Sequence, residues 1–275
     1  MYGQPTSVPS TFLEQIRGML CVALTFLYCA LVTVATAHAQ PKWPYQSRQG
    51  QFYIYADFPL ADVLPALEEL SKLRLEIERV LHLKMEASPV EVYLFNDKQA
   101  YYDYLADHLP KIPKRQALFV KIGSQGMIFA HQGPDLAEDL RHESTHSLLN
   151  ATLKQVPLWL DEGLAEYFEV PRPRQASGHS HLKAIRLETK VRGIGDLRTI
   201  ERTTEVASMR KADYRACWAW THFLLHGPPK ARRLFQQYIQ ELRSGPGEES
   251  LAQRIYEQQP DIDDIVRHHF RTWKE

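Results

Sequence analysis

Two histidines and a glutamate at fixed spacing are the residues best placed to do chemistry: His142-Glu143-Ser144-Thr145-His146. On a helix, residues four apart lie one above the other with about 6 Å of rise, so both imidazoles can face one ion. Neutral imidazole nitrogen suits Zn²⁺, and Glu143 can reach a water at that ion as a general base. The competing reading is two surface histidines on a solvated helix face. A catalytic zinc wants three protein ligands and an open fourth position. Downstream, Pro157 opens a second helical stretch that offers Glu162 and, one turn later, Glu166. Trp159, Leu160, Leu164 and Phe168 can pack this helix on the first. A carboxylate from it completes a His₂Glu set, and the other can accept a hydrogen bond from a ligand imidazole. Read instead as a solvated face, the two glutamates hold nothing.

Leu140-Arg-His-Glu-Ser-Thr-His146 followed by Trp159-Leu-Asp-Glu-Gly-Leu-Ala-Glu-Tyr-Phe-Glu169 resembles the gluzincin branch of zinc metallopeptidases, which includes aminopeptidase N and thermolysin. The pair of motifs is more closely similar to an uncharacterised group of exported bacterial gluzincin-like proteins, over about residues 50–226. The resemblance implies a zincin-like α+β fold, zinc as cofactor, and His142 and His146 as ligands with Glu143 as general base. It implies Glu162 as third ligand and Glu166 outside it, holding His142. Fifteen residues separate His146 from Glu162, fewer than in the aminopeptidase group, so the connection must be tight. Glu166 lies closer to the thermolysin spacing and stays open as an alternative ligand.

In that superfamily an edge strand before the active-site helix pairs with substrate backbone. The strand here, Gly126-Met127-Ile128-Phe129-Ala130, has no acidic residue to capture an amino terminus, which speaks against amino-terminus recognition and leaves extended-peptide binding by strand addition open. A donor for the oxyanion of hydrolysis should stand nearby. Tyr214, opening Tyr214-Arg-Ala-Cys-Trp-Ala-Trp-Thr-His222, is the candidate by resemblance, set against a structural tyrosine; His222 is a weaker one. His179 and His181 either line the cleft, bind a second metal, or are ordinary surface histidines. Cys217, between aromatic neighbours, reads as a buried, inert thiol. The chain carries no Gly-x-Ser-x-Gly elbow and no phosphate loop.

The elements that must position these residues follow from periodicity. Strands are expected at 51–56, 90–95, 117–122 and 127–130, with an amphipathic helix over 60–83 and a short one capped by Asp97. Residues 40–50 read as an extended leader. Helices are expected over 134–153 and 157–169, a loop over 171–182, and helix again from about 196 onward. The order βαβαββ followed by helices is an α+β arrangement: a sheet-bearing part, 40–169, and a helical part, 170–275, of one catalytic unit.

The 275 residues carry 33 Lys+Arg against 33 Asp+Glu, so no global field favours nucleic acid or an anionic membrane. The expected partner is a peptide or protein substrate. Residues 1–39 read as a signal peptide: Arg17 precedes the apolar run Met19 to Ala37, and Ala37-His38-Ala39 fits a cleavage site. Export to the periplasm or beyond is the expectation, and residues 19–37 anchor the chain to a membrane if they are retained. Cys21 and Cys29 lie in that run, so Cys217 alone remains and no internal disulfide forms. The alternative to a peptidase is a non-catalytic, zinc-stabilised binding or scaffold domain at the cell envelope.

Overall fold

The polar segment Tyr45–Gln49 forms β1 and turns at Gly50, whose φ of 61° suits a residue without a side chain, into β2, Phe52–Ala56. In β2 every second residue points inward: Phe52, Ile54 and Ala56 are buried. A 3₁₀ turn, Leu60–Val63, leads into α1, Leu64–Leu81, whose buried Leu67, Leu70, Leu73, Ile77 and Leu81 form one apolar stripe. β3, Val90–Phe95, returns parallel to β2. Asp97 then caps α2, Lys98–His108, by accepting from the amides of Gln99 and Ala100. β4, Ala117–Ile122, and β5, Gln125–His131, form an antiparallel hairpin. The computed structural model describes residues 43–274 apart from 113, 192 and 246–248.

The sheet runs β1-β2-β3-β5-β4, with β2, β3 and β5 parallel and an antiparallel strand at each edge. One face carries α1 and the helix after β5. The other carries α2 over a small aromatic cluster that includes Phe95, Tyr101 and Phe129. The helical remainder is α3 (Leu136–Thr152), α4 (Leu158–Glu169), α5 (His181–Val191), α6 (Leu197–Glu201), α7 (Lys211–His226), α8 (Pro229–Leu242), α9 (Leu251–Gln258) and α10 (Ile262–Thr272). A small mixed sheet followed by helices makes the fold α+β, as the sequence predicts.

Gly163 governs how α4 lies on α7. A Cβ built there would overlap Thr221 Oγ1 and come 2.6 Å from the Cys217 carbonyl oxygen, so only a bare backbone allows this approach. Trp159 on α4 and Trp218 and Trp220 on α7 are fully buried in the same core.

Three expectations need correction. β1 stands where an extended leader was expected, because its backbone pairs with β2 although its side chains are mostly exposed. α5 starts at His181 within the expected loop, held by Leu182 and Ile185. The strand holding Gly126–Ala130 is not an edge: β5 pairs with β3 and β4, and β4 is the edge next to α3. The apolar run 19–37, the cleavage site, Cys21 and Cys29 lie outside the described residues. Among the described residues no helix is long and apolar enough to cross a membrane.

Candidate metal centre

α3 presents His142 and His146 on one face, with ring centroids 4.8 Å apart and planes at 73°. α4 brings Glu162 to them: its Oε2 lies 3.6 Å from His142 Nε2 and 3.7 Å from His146 Nε2. A tetrahedral ion with bonds of about 2.0–2.1 Å spaces its ligand atoms about 3.4 Å apart, close to what is seen. Glu162 is 3% exposed, and its Oε2 accepts no hydrogen bond. A buried carboxylate oxygen left unpaired is costly, so an atom aimed between two imidazoles fits a metal ligand. Among the described residues the three potential ligand atoms lie within 4.8 Å of one another.

The outer nitrogens of both rings face carboxylates. His142 Nδ1 lies 2.9 Å from Glu169 Oε2, and His146 Nδ1 lies 3.0 Å from Asp161 Oδ1. Asn150 steadies Asp161 with its side-chain amide while also donating to the His146 carbonyl. At His142 the hydrogen bond to Glu169 places a proton on Nδ1 and turns Nε2 toward the ion site, whereas His146 Nδ1 lies beside Asp161 without hydrogen-bonding to it. Burial opposes charge on His142, but Glu162 and Glu169 outweigh it and hold its pKa well above the ordinary value. For Glu162, burial pushes the pKa up, yet the facing imidazoles bring it below the usual carboxylate range. The pocket is built to hold positive charge.

The residue that holds His142 is Glu169, not Glu166. The pairs Asp161–His146 and Glu169–His142 show that α3 and α4 run in opposite directions. On α4, seven residues return the chain to within about 20° of the starting face and four overshoot by about 40°. Glu169 therefore aligns with Glu162, and Glu166 turns aside. Its Oε2 lies 3.0 Å from His181 Nε2 and 3.3 Å from His179 Nε2. The fold brings Glu162, rather than Glu166, to the two histidines.

Glu143 is buried, and its Oε2 accepts from the Phe119 amide of β4 at 2.7 Å. It borders a cleft of about 410 Å³ that also meets His146, Glu162, Leu158, Phe119 and Arg115. Tyr214, on the first turn of α7, is half-buried within electrostatic reach of Glu162, Arg115 and His142. Burial first, then the Glu162 charge, raises its pKa, so the hydroxyl keeps its proton at neutral pH. Arg115 and Asp161 escape a reading of spacing because each is placed by a tertiary contact. Glu169 stands inside the quoted helix motif with no role assigned to it there.

His222 does not serve this cleft. It is fully buried, with Nε2 2.9 Å from the Ala176 carbonyl oxygen and Nδ1 3.2 Å from His269 Nε2. Burial, reinforced by His226 and His269, pushes its pKa down to about 2. Burial pushes the Cys217 thiol up, which makes it a poor nucleophile. Of the readings open for His179, an ordinary surface histidine is ruled out: it is 4% exposed, with its ring stacked on Trp218. A scan against models of known protein families finds no match, and a search of curated proteins finds no relative.

Proposed function

We propose that this chain is an exported zinc-dependent peptidase that hydrolyses peptide bonds with Glu143 as general base. One observation carries the reading. Two imidazole nitrogens and a buried carboxylate oxygen that accepts no hydrogen bond converge beside a second carboxylate, at the margin of an open sheet edge. His142, His146 and Glu162 would hold the zinc. Bound there, zinc supplies Lewis acidity, acidifying a water and polarising a carbonyl.

This chain's own groups do the rest. A peptide added alongside β4 hydrogen-bonds to the outward backbone of the Ala117–Ile122 edge, which brings its scissile bond to Glu143. A Glu143 carboxylate oxygen takes the proton from the attacking water and returns it to the leaving nitrogen as the C–N bond breaks. The Tyr214 hydroxyl, kept protonated, and the Arg115 guanidinium are the donors available to the developing oxyanion. Glu169 and Asp161 keep the ligand rings oriented. Export rests on the apolar run 19–37 and its Ala-x-Ala end.

The test is digestion of a mixed library of unstructured peptides by the full-length, zinc-loaded chain, read by mass spectrometry. New termini that vanish with a chelator and return with zinc are expected. A chain shown to be zinc-loaded that cuts nothing would contradict the peptidase reading and favour the zinc-stabilised binding domain.

A further inference from the structure

Beyond the first ligand set, Glu166 on α4 meets His179 and His181 at the start of α5. Glu166 Oε2 lies 3.3 Å from His179 Nε2 and 3.0 Å from His181 Nε2, and the three potential ligand atoms lie within 4.8 Å of one another. From these residues we infer a second divalent metal site, of zinc-class preference, bound by Glu166, His179 and His181.

Three observations support it. First, His181 Nε2 is shut off from water and makes no hydrogen bond, although a carboxylate oxygen is only 3.0 Å away. The two atoms are close but not aimed at each other, a geometry that His146 Nδ1 shares with Asp161; here a third potential ligand atom, from His179, lies within 4.8 Å of both. Glu162 Oε2 has the same character in the first group. Second, the carboxylates of Glu166 and Glu169 have only histidines as ion-pair partners among the described residues. The His181 backbone amide donates to His179 Nδ1 at 3.0 Å, so in this arrangement that nitrogen accepts and the proton facing the carboxylates stands on Nε2. Neither acid has a lysine or arginine partner among the described residues, so a divalent cation placed there meets uncompensated carboxylates rather than an existing salt bridge to a basic side chain. Third, two imidazoles and one carboxylate are a borderline donor set that favours zinc over magnesium or calcium.

Loading the site moves one proton. His179 gives up Nε2–H and takes a proton at Nδ1, so the ring stays neutral and Nε2 is freed for the metal. The His181 amide then turns from Nδ1 to water. It is the first residue of α5, where amides have no acceptor within the helix. One modest hydrogen bond is exchanged for a metal–ligand bond.

The two groups are linked. Glu169 places Oε1 2.9 Å from His179 Nε2 and Oε2 2.9 Å from His142 Nδ1. A metal at the second site fixes the 171–180 loop against α4 and reorients the carboxylate that holds His142. Occupancy of one site therefore changes affinity at the other.

The test is zinc titration of the metal-stripped, full-length chain against a chromophoric chelator, with cobalt absorption as a second readout and circular dichroism to confirm folding. The wild-type chain is expected to bind two equivalents. His181→Ala and, separately, Glu166→Gln should each bind one, with the second class weakened at least about 100-fold. Glu162→Gln should also bind one, having lost the other class. A wild-type chain that binds a single equivalent, lost in Glu162→Gln and kept in His181→Ala, overturns the second site and leaves the peptidase reading standing. A single equivalent with the reverse dependence supports the second site and removes the ligand set of the proposed peptidase. Two equivalents in every variant would place the metal elsewhere and overturn the inference.

Discussion

Each candidate ligand histidine turns Nε2 toward Glu162 and Nδ1 toward a carboxylate, and at His142 a hydrogen bond from Nδ1 to Glu169 holds the ring. Replacing Glu169 by Gln keeps the side-chain size but removes the negative charge facing His142. We expect zinc affinity to fall about 10–100-fold, measured by competition with a chelator, with folding unchanged. An unaltered affinity would mean that Glu169 does not position the ligand. The ligand pattern was legible in the sequence because an i, i+4 pair is a property of one helix. The choice between Glu166 and Glu169 was not legible. Both project from the same helix, and the antiparallel register of α3 on α4 decides which one reaches His142. The burial of His179 is hidden for a related reason: Ser177-Gly178-His179 looks solvated until the ring of Trp218 from α7 stacks on it.

Among the elements, α4 and α7 matter most, because α4 carries both Glu162 and Glu166 and lies against α7 at Gly163. Gly163→Ala would push its methyl into the Cys217 backbone carbonyl, which a side-chain rotation cannot relieve. Overpacking of this kind costs about 1–3 kcal/mol. A drop in Tm of about 3–10 °C is expected, together with weakened zinc binding, since the adjacent Glu162 shifts with the helix. A variant as stable as wild type would show that the helices do not need this close approach. The long helices and central strands could be read from periodicity. β1 could not: Tyr-Gln-Ser-Arg-Gln has no apolar alternation, and only the β2 edge gives it a partner. Nor could the sequence order β4 and β5. Either hairpin strand can sit beside β3, and the parallel pairing of β5 leaves β4 at the edge.

Among the described residues, two groups of buried titratable side chains behave in opposite ways. The metal centre is built to hold positive charge, whereas His222, His226 and His269 are packed with Trp273 and resist it. Burial lowers His226 and His269 to about 4, with contributions from Arg232 at the first and from His226 and His268 at the second. Their folded pKa values lie below the unfolded value of about 6.5. The unfolded chain therefore binds protons that the folded chain refuses, and stability is lost as pH falls from about 6.5 toward 4. In chelator, so that metal release plays no part, Tm should fall across that window. The fall should be shallower in His226→Gln than in wild type. A Tm independent of pH there would contradict the neutral state assigned to these rings.

The account as a whole depends on Glu143 acting as a base rather than as a strut for Phe119. The most direct test compares peptide hydrolysis by wild-type and Glu143→Gln chains carrying the same amount of zinc, since Gln offers the Phe119 amide a similar acceptor but cannot take a proton. The prediction is unchanged zinc content and a loss of turnover of about 10²–10⁴-fold. Full hydrolysis by the zinc-loaded Gln variant would contradict it.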